Sequence, residues 1–137
     1  MKTEDKELLI KDLSVRVSYN TIVQIENGGI WNLKGIDQDD FDEIGYRVVV
    51  WHGKNYPLSK KSFPIMNCKP YLFPLSSMTE EQKEIYCQLQ QKVIYNSKGV
   101  VTEDVMNYVN WCYENHLDVN DLIPNDLAID ATGLSIY

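Results

Sequence analysis

The chain has 137 residues, 44% of them hydrophobic and 24% charged, and a formal net charge of −7. This composition suits one domain, residues 1–137, with a buried core, and it excludes a disordered or fibrous chain. No apolar run reaches the roughly 18 residues of a membrane span, and the charged start MKTEDKELLIKDL has no apolar stretch of leader length, so a cytoplasmic protein with no membrane partner is expected.

The charge is unevenly placed. Residues 1–69 carry 10 Lys/Arg and 10 Asp/Glu, whereas residues 70–137 carry 3 and 10. An acidic half repels phosphate backbones, so the sequence disfavours a nucleic-acid partner. Cys68, Cys87 and Cys112 are odd in number and widely spaced, which fits a reducing compartment rather than a disulfide framework.

In chain order, Leu8, Leu9 and Leu13 share a helical face and predict a short helix over 4–13. Val15, Val17 and Tyr19 then alternate with polar residues, as do Val23 and Ile25. They predict two strands, with Asn20 in a tight turn between them. Asn27-Gly28-Gly29 marks a turn, because glycine accepts positive φ. A strand over 30–36 follows, and YRVVVW at 46–51 is the strongest strand signal, apolar enough to be buried on both faces. His52 to Asn55 reads as a turn before an edge piece at 56–58.

Pro64, Pro70 and Pro74 bias residues 62–76 toward extended geometry, so no helix should cross them. The next helix starts at Ser77 or Thr79, since Ser77 with Glu80 and Thr79 with Gln82 both match a capping box. Ile85, Leu89 and Val93 give its apolar stripe. A second helix starts at Thr102, with Val105, Val109, Cys112 and His116 along one side. Two helices of ~15 residues joined by a short loop predict an antiparallel hairpin. In the tail, Leu122-Ile123 and Leu127-Ile129 are expected to pin the chain to the core.

Chemistry-bearing groups are few. DQDDFDE at 37–43 fails a calcium-loop pattern: its fifth, sixth and twelfth positions are Phe41, Asp42 and Val48. It reads as a solvated acidic connection. Cys112 and His116 are four apart, but a zinc site needs about four ligands and only two histidines exist. Cys112 therefore reads as packing, with His116 beside the last carbonyls of its helix. His52 has no identifiable partner. Glu80, Glu81 and Glu84 suit a first helical turn without catalysis. There is no phosphate loop, GxSxG, HExxH or CxxC. No cofactor or metal is expected, and no catalytic residue is assigned. The remaining candidates are aromatic: Tyr71, Leu72 and Phe73, bracketed by Pro70 and Pro74, form either inter-element packing or a surface for a protein partner. With Trp31 and Trp51, and Lys60, Lys61 and Lys69 nearby, they also suggest a thin version of a single-strand stacking platform.

Three segments, LLIKDLSVRVSY, KPYLFPLSSMTEEQKEIY and NDLIPNDLAIDATGLSIY, resemble one family: small uncharacterised proteins of phages, prophages and mobile elements in Bacteroides-type gut bacteria. The resemblance spans nearly the whole chain, and PYLFPLSSMTEEQ is its most specific part. It implies an accessory protein of a mobile element and carries over no functional residue.

The expected architecture is α+β: a short helix, a small bent antiparallel sheet or partly open barrel of four or five strands, then a helical hairpin packed on the sheet. Residues 1–68 supply the first helix and sheet, and 69–137 the proline-bracketed joint, hairpin and tail. The expected function is non-enzymatic binding of a host or phage protein. The alternatives are a nucleic-acid module using the sheet face, and a small hydrolase-like enzyme built on Asp/Glu or Cys112.

Overall fold

A computed structural model describes residues 2–26, 29–38, 46–51, 61–94 and 102–137. Helix α1 (Thr3–Arg16) is followed by strands β1 (Ile22–Ile25), β2 (Gly29–Gln38), β3 (Tyr46–Trp51), β4 (Lys61–Pro64) and β5 (Cys68–Leu72). Helices α2 (Glu80–Ile94) and α3 (Thr102–Glu114) come next, then a short strand β6 (Ile129–Asp130). The α+β class is as the sequence predicts.

The sheet is open, with strand order β4-β3-β2-β1-β5-β6. Its pairs are antiparallel except β5 with β6, which is parallel. Among the described residues it is therefore a mixed six-stranded sheet rather than a purely antiparallel one of four or five. Two of the added strands, β4 and β5, lie among the prolines, and the third, β6, is only two residues long. Pro64 ends β4. Pro70 sits opposite Val23 inside β5, a ladder position that proline normally avoids. The pairing explains it: Glu26 N–H donates to Asn67 O at 2.8 Å, so the hydrogen-bonded rungs fall at 26/67 and 24/69. Pro70 occupies a non-hydrogen-bonded rung and its nitrogen faces away from β1. On that side β6 begins pairing only at Tyr71.

The first expected strand is the main correction. Residues 15, 17 and 19 are not extended. Helix α1 runs to Arg16, and Val17–Tyr19 form a 3-10 turn. The helix continues because its buried stripe is Lys6, Leu9, Asp12, Leu13 and Arg16, a 3- and 4-residue spacing that the alternation at Val15 does not follow. Val15 points outward, 41% exposed. Asn20, at φ +54, turns the chain into β1, in the left-handed region asparagine tolerates. The hairpin is formed instead by β1 and β2, and Gly29 at φ +84 opens β2.

One face of the sheet carries Val23, Ile25, Trp31, Leu33, Val48, Val50, Cys68 and Leu72, and α1 lays Leu9 and Leu13 upon it. Leu122, Leu127 and Ala128 of the tail complete the same cluster, so the tail pins the chain as its pattern predicts. In β3, Val48, Val49 and Val50 are all buried, which accounts for its unbroken apolar run.

The hairpin of α2 and α3 stands differently from expectation. It supplies none of that core; α1 and the tail cover the sheet. Helix α2 has no buried side chain, and Ile85, Leu89 and Val93 are half-buried. The two helices meet through Tyr86, which packs against Tyr108 and Trp111 at 5.6 and 6.3 Å between ring centres, while Tyr108 donates its hydroxyl to Tyr86 at 3.0 Å. Only the C-terminal end of α3 is deeply anchored, at Cys112 and Tyr113. Most of DQDDFDE, with His52, Lys60 and the edge piece at 56–58, lies outside the described residues.

Candidate functional site

The end of β5 and the end of α3 are tied by backbone. Phe73 N–H donates to His116 O at 2.8 Å, and Asp118 N–H donates to Phe73 O at 2.9 Å. Pro74 then stops the strand. Ser77 donates its hydroxyl to Pro74 O at 2.7 Å within a 3-10 turn over Leu75–Ser77. Of the two candidate capping boxes, the structure forms the one at Thr79. Gln82 N–H donates to Thr79 Oγ1 at 3.1 Å, and Thr79 N–H donates to Gln82 Oε1 at 2.9 Å.

His116 does not lie on the stripe of α3. It is the second residue past the helix, after Asn115, at φ +55. Leu117 N–H donates to Cys112 O at 3.0 Å and His116 N–H donates to Tyr113 O at 3.0 Å, the paired bonds of a Schellman ending, in which glycine usually takes the left-handed position. A histidine there projects its ring from the helix end, and the ring lies flat on Tyr137 (centroids 3.7 Å apart, planes 13° from parallel). Phe73 packs on the same tyrosine at 5.9 Å.

Tyr137 is fixed by more than stacking. Its hydroxyl donates to Tyr71 O at 2.7 Å and accepts from Ile22 N–H at 3.0 Å. Continuing the β1–β5 register past Val23↔Pro70 makes Ile22 and Tyr71 the next rung, and by the alternation above it is a hydrogen-bonded one. The phenol oxygen sits within that rung and replaces the direct bond.

Clefts of about 460 Å³ open on either side of the His116–Tyr137 stack. Phe73, Ser77, Thr79, Gln82 and Asn115 line the first; Ser18, Tyr19 and Asn20 line the second. Glu114 is exposed and borders both. Burial, then the charge of Arg16, lowers the imidazole of His116 to about 4, and burial raises the phenol of Tyr137 to about 12. Both are neutral near pH 7. A general acid or base works best near the operating pH, and neither ring is set there. The Ser77 and Thr79 hydroxyls are already committed to backbone.

Cys112 and His116 do not make a nucleophile–base pair. Burial raises the Cys112 thiol to about 11, and the reactive form of cysteine is the thiolate. Burial raises Cys68 to about 12. Among the described residues no group of three or more His, Cys, Asp or Glu is placed to hold a metal, and no helix is long and apolar enough to cross a membrane. Glu80 and Glu81 occupy the first turn of α2, where Glu80 pairs with Lys83 at 3.2 Å.

The structure separates the three candidate partner residues. Tyr71 is 5% exposed and Leu72 is wholly buried, both as parts of β5. Phe73 is half-buried and reaches the first cleft. Of the residues named for a stacking platform, Trp31 is buried with Lys61 over its ring, Lys69 pairs with Asp126 at 2.9 Å, and Lys60 lies outside the described residues. Sequence reasoning passed over Tyr137 and Glu114. Tyr137 meets partners 66 and 115 positions away, and no local pattern signals such a contact.

No protein family, curated protein or solved structure matches the chain.

Proposed function

We propose that the protein is a non-enzymatic accessory protein that binds another protein, encoded by a host or a mobile element, at the cleft floored by Phe73, His116 and Tyr137. The mobile-element setting follows from the resemblance of its KPYLFPLSSMTEEQ segment. The observation that carries the binding role is the character of this cleft. Its floor is three contacting rings, neutral near pH 7, and its rim is amide and hydroxyl groups with the carboxylate of Glu114. Aromatic anchors ringed by polar groups are what protein interfaces use. Glu114 at the rim, within an acidic half of the chain, favours a partner segment of positive charge.

A photo-crosslinking side chain at position 114 of the full chain tests this. The protein captured there should bind the wild type in calorimetry and lose about tenfold or more in affinity to Glu114→Lys and Phe73→Leu. Equal affinity for the wild type and both variants refutes the cleft as a protein-binding site.

A further inference from the structure

Resting on that reading of the cleft, we infer that its partner presents a tyrosine side chain, and that Tyr137 holds the same seat as an intramolecular stand-in. The seat is built for a phenol, not merely for a ring. One wall, the imidazole of His116, stacks on the ring at 3.7 Å. Phe73 packs at an angle beside it. The base offers one donor, Ile22 N–H, and one acceptor, Tyr71 O, spaced so that a single hydroxyl serves both. A phenylalanine in that position leaves both backbone groups without the oxygen between them, and sites built to hydrogen-bond a hydroxyl discriminate strongly against analogues that lack it.

The segment that delivers Tyr137 is lightly held. Thr132, Gly133, Leu134 and Ser135 are exposed. Their backbone bonds are local: Thr132 N–H to Asp130 Oδ1 and Leu134 N–H to Ala131 O. Ser135 has φ +52, which is unfavourable for a side-chain-bearing residue. Tyr137 itself is 43% exposed. Withdrawal of Tyr137 frees Ile22 N–H and Tyr71 O together, one donor and one acceptor for an incoming hydroxyl. Because His116, Glu114 and Tyr137 border both clefts, withdrawal also joins them into one groove that runs from Ser77 to Asn20. A partner tyrosine enters by competition, and its apparent affinity is reduced by the fraction of time the seat is self-occupied.

The test uses the full chain as wild type, Tyr137→Ala and Tyr137→Phe. The probe is an acetylated hexapeptide of residues 132–137, alongside the same peptide carrying Tyr137→Ala. Tyr137→Ala should bind the tyrosine peptide about tenfold or more tightly than the wild type does, with NMR shifts at the Ile22 amide and the His116 ring. The peptide without tyrosine should not bind. Tyr137→Phe keeps the ring and guards against a loss of folding in the alanine variant. It too should bind the tyrosine peptide more tightly than wild type, because the probe restores the missing hydroxyl. Equal binding by all three proteins, or by both peptides, overturns the inference. A wild-type dimer lost on Tyr137→Ala assigns the seat to a second copy and overturns it as well. A protein captured at position 114 that binds wild type and Tyr137→Ala equally well, but still depends on Glu114, overturns the tyrosine seat while leaving the protein-binding role intact.

Discussion

Asp12 and Arg16 lie one turn apart on α1, both wholly buried, and their side chains meet twice, Nε to Oδ2 at 2.6 Å and Nη2 to Oδ1 at 3.1 Å. The acid-before-base order at i,i+4 suits a helix. The same Nη2 donates to Leu117 O at 2.8 Å, just past the His116 helix ending, and the guanidinium lies 4.6 Å from the centre of the Tyr113 ring. Asn120 donates to Asp12 Oδ1 at 2.9 Å. The pair thus joins α1 to the chain just past α3 and to the tail, beside the backbone that carries His116. Removing one partner of a buried pair leaves a stranded charge, which costs about 3–5 kcal/mol. Asp12→Ala should lose that much in a urea titration, a large part of the stability of a small domain. Asp12→Leu with Arg16→Met removes both charges and should be less destabilised than Asp12→Ala. A double variant less stable than the single one contradicts this account.

The capping of α2 permits a sharper comparison. Thr79 and Gln82 exchange two hydrogen bonds, while the Ser77 hydroxyl serves its own turn at Pro74. Loss of a threonine cap costs about 1 kcal/mol, within about 0.5–2. Thr79→Ala should therefore lower the helical signal and the urea midpoint, and Ser77→Ala should change helicity much less. Equal effects would mean that the helix starts at Ser77 after all.

Local rules made much of the fold legible. Val48 to Val50 in β3, the hairpin of α2 and α3, the cap at Thr79 and the tail leucines follow from spacing, because each depends on residues within a few positions. Failures occurred where a distant contact decides. The helix α1 persists through Arg16 because Arg16 is received by Leu117, 101 residues away, and the alternation of Val15 and Val17 cannot report that. Pro70 reads as a strand breaker, yet its rung needs no N–H from it. His116 reads as the last turn of a helix, whereas a non-glycine residue takes the left-handed ending. The candidate site was the least legible part. Phe73 was singled out with two neighbours that proved to be core, and its principal companion, Tyr137, has no local motif around it.

The three thiols should differ in a way that bears on the hydrolase alternative. Cys87 is exposed on α2, whereas Cys68 and Cys112 are buried, with burial holding both thiols protonated. A thiol reagent at neutral pH should modify Cys87 alone in the native protein, and all three in denaturant. Rapid native modification of Cys112, surviving in a Cys87→Ser variant, would reveal a thiolate there and revive a nucleophilic role.

His116 links the site to pH. Its imidazole sits near 4 in the folded protein against an ordinary 6.5, because burial and the charge of Arg16 both oppose protonation. Between those values the unfolded chain takes up a proton that the folded chain refuses, so stability rises with pH across the window and this contribution is lost as pH falls from about 6.5 toward 4. The groups facing the ring are Arg16 from α1, whose charge opposes protonation, Tyr137 from the tail, which stays neutral, and Glu114, which ends α3 two residues earlier. His116→Asn removes the titration while keeping a residue that tolerates positive φ. The wild type should lose stability relative to this variant as the pH is lowered, most steeply within the window. At neutral pH His116→Gly should be more stable than His116→Ala by about 1 kcal/mol, since both lose the ring and only glycine escapes the left-handed penalty. Parallel pH profiles for wild type and His116→Asn would show that the ring is solvated, and would loosen the stack on which the tyrosine seat depends.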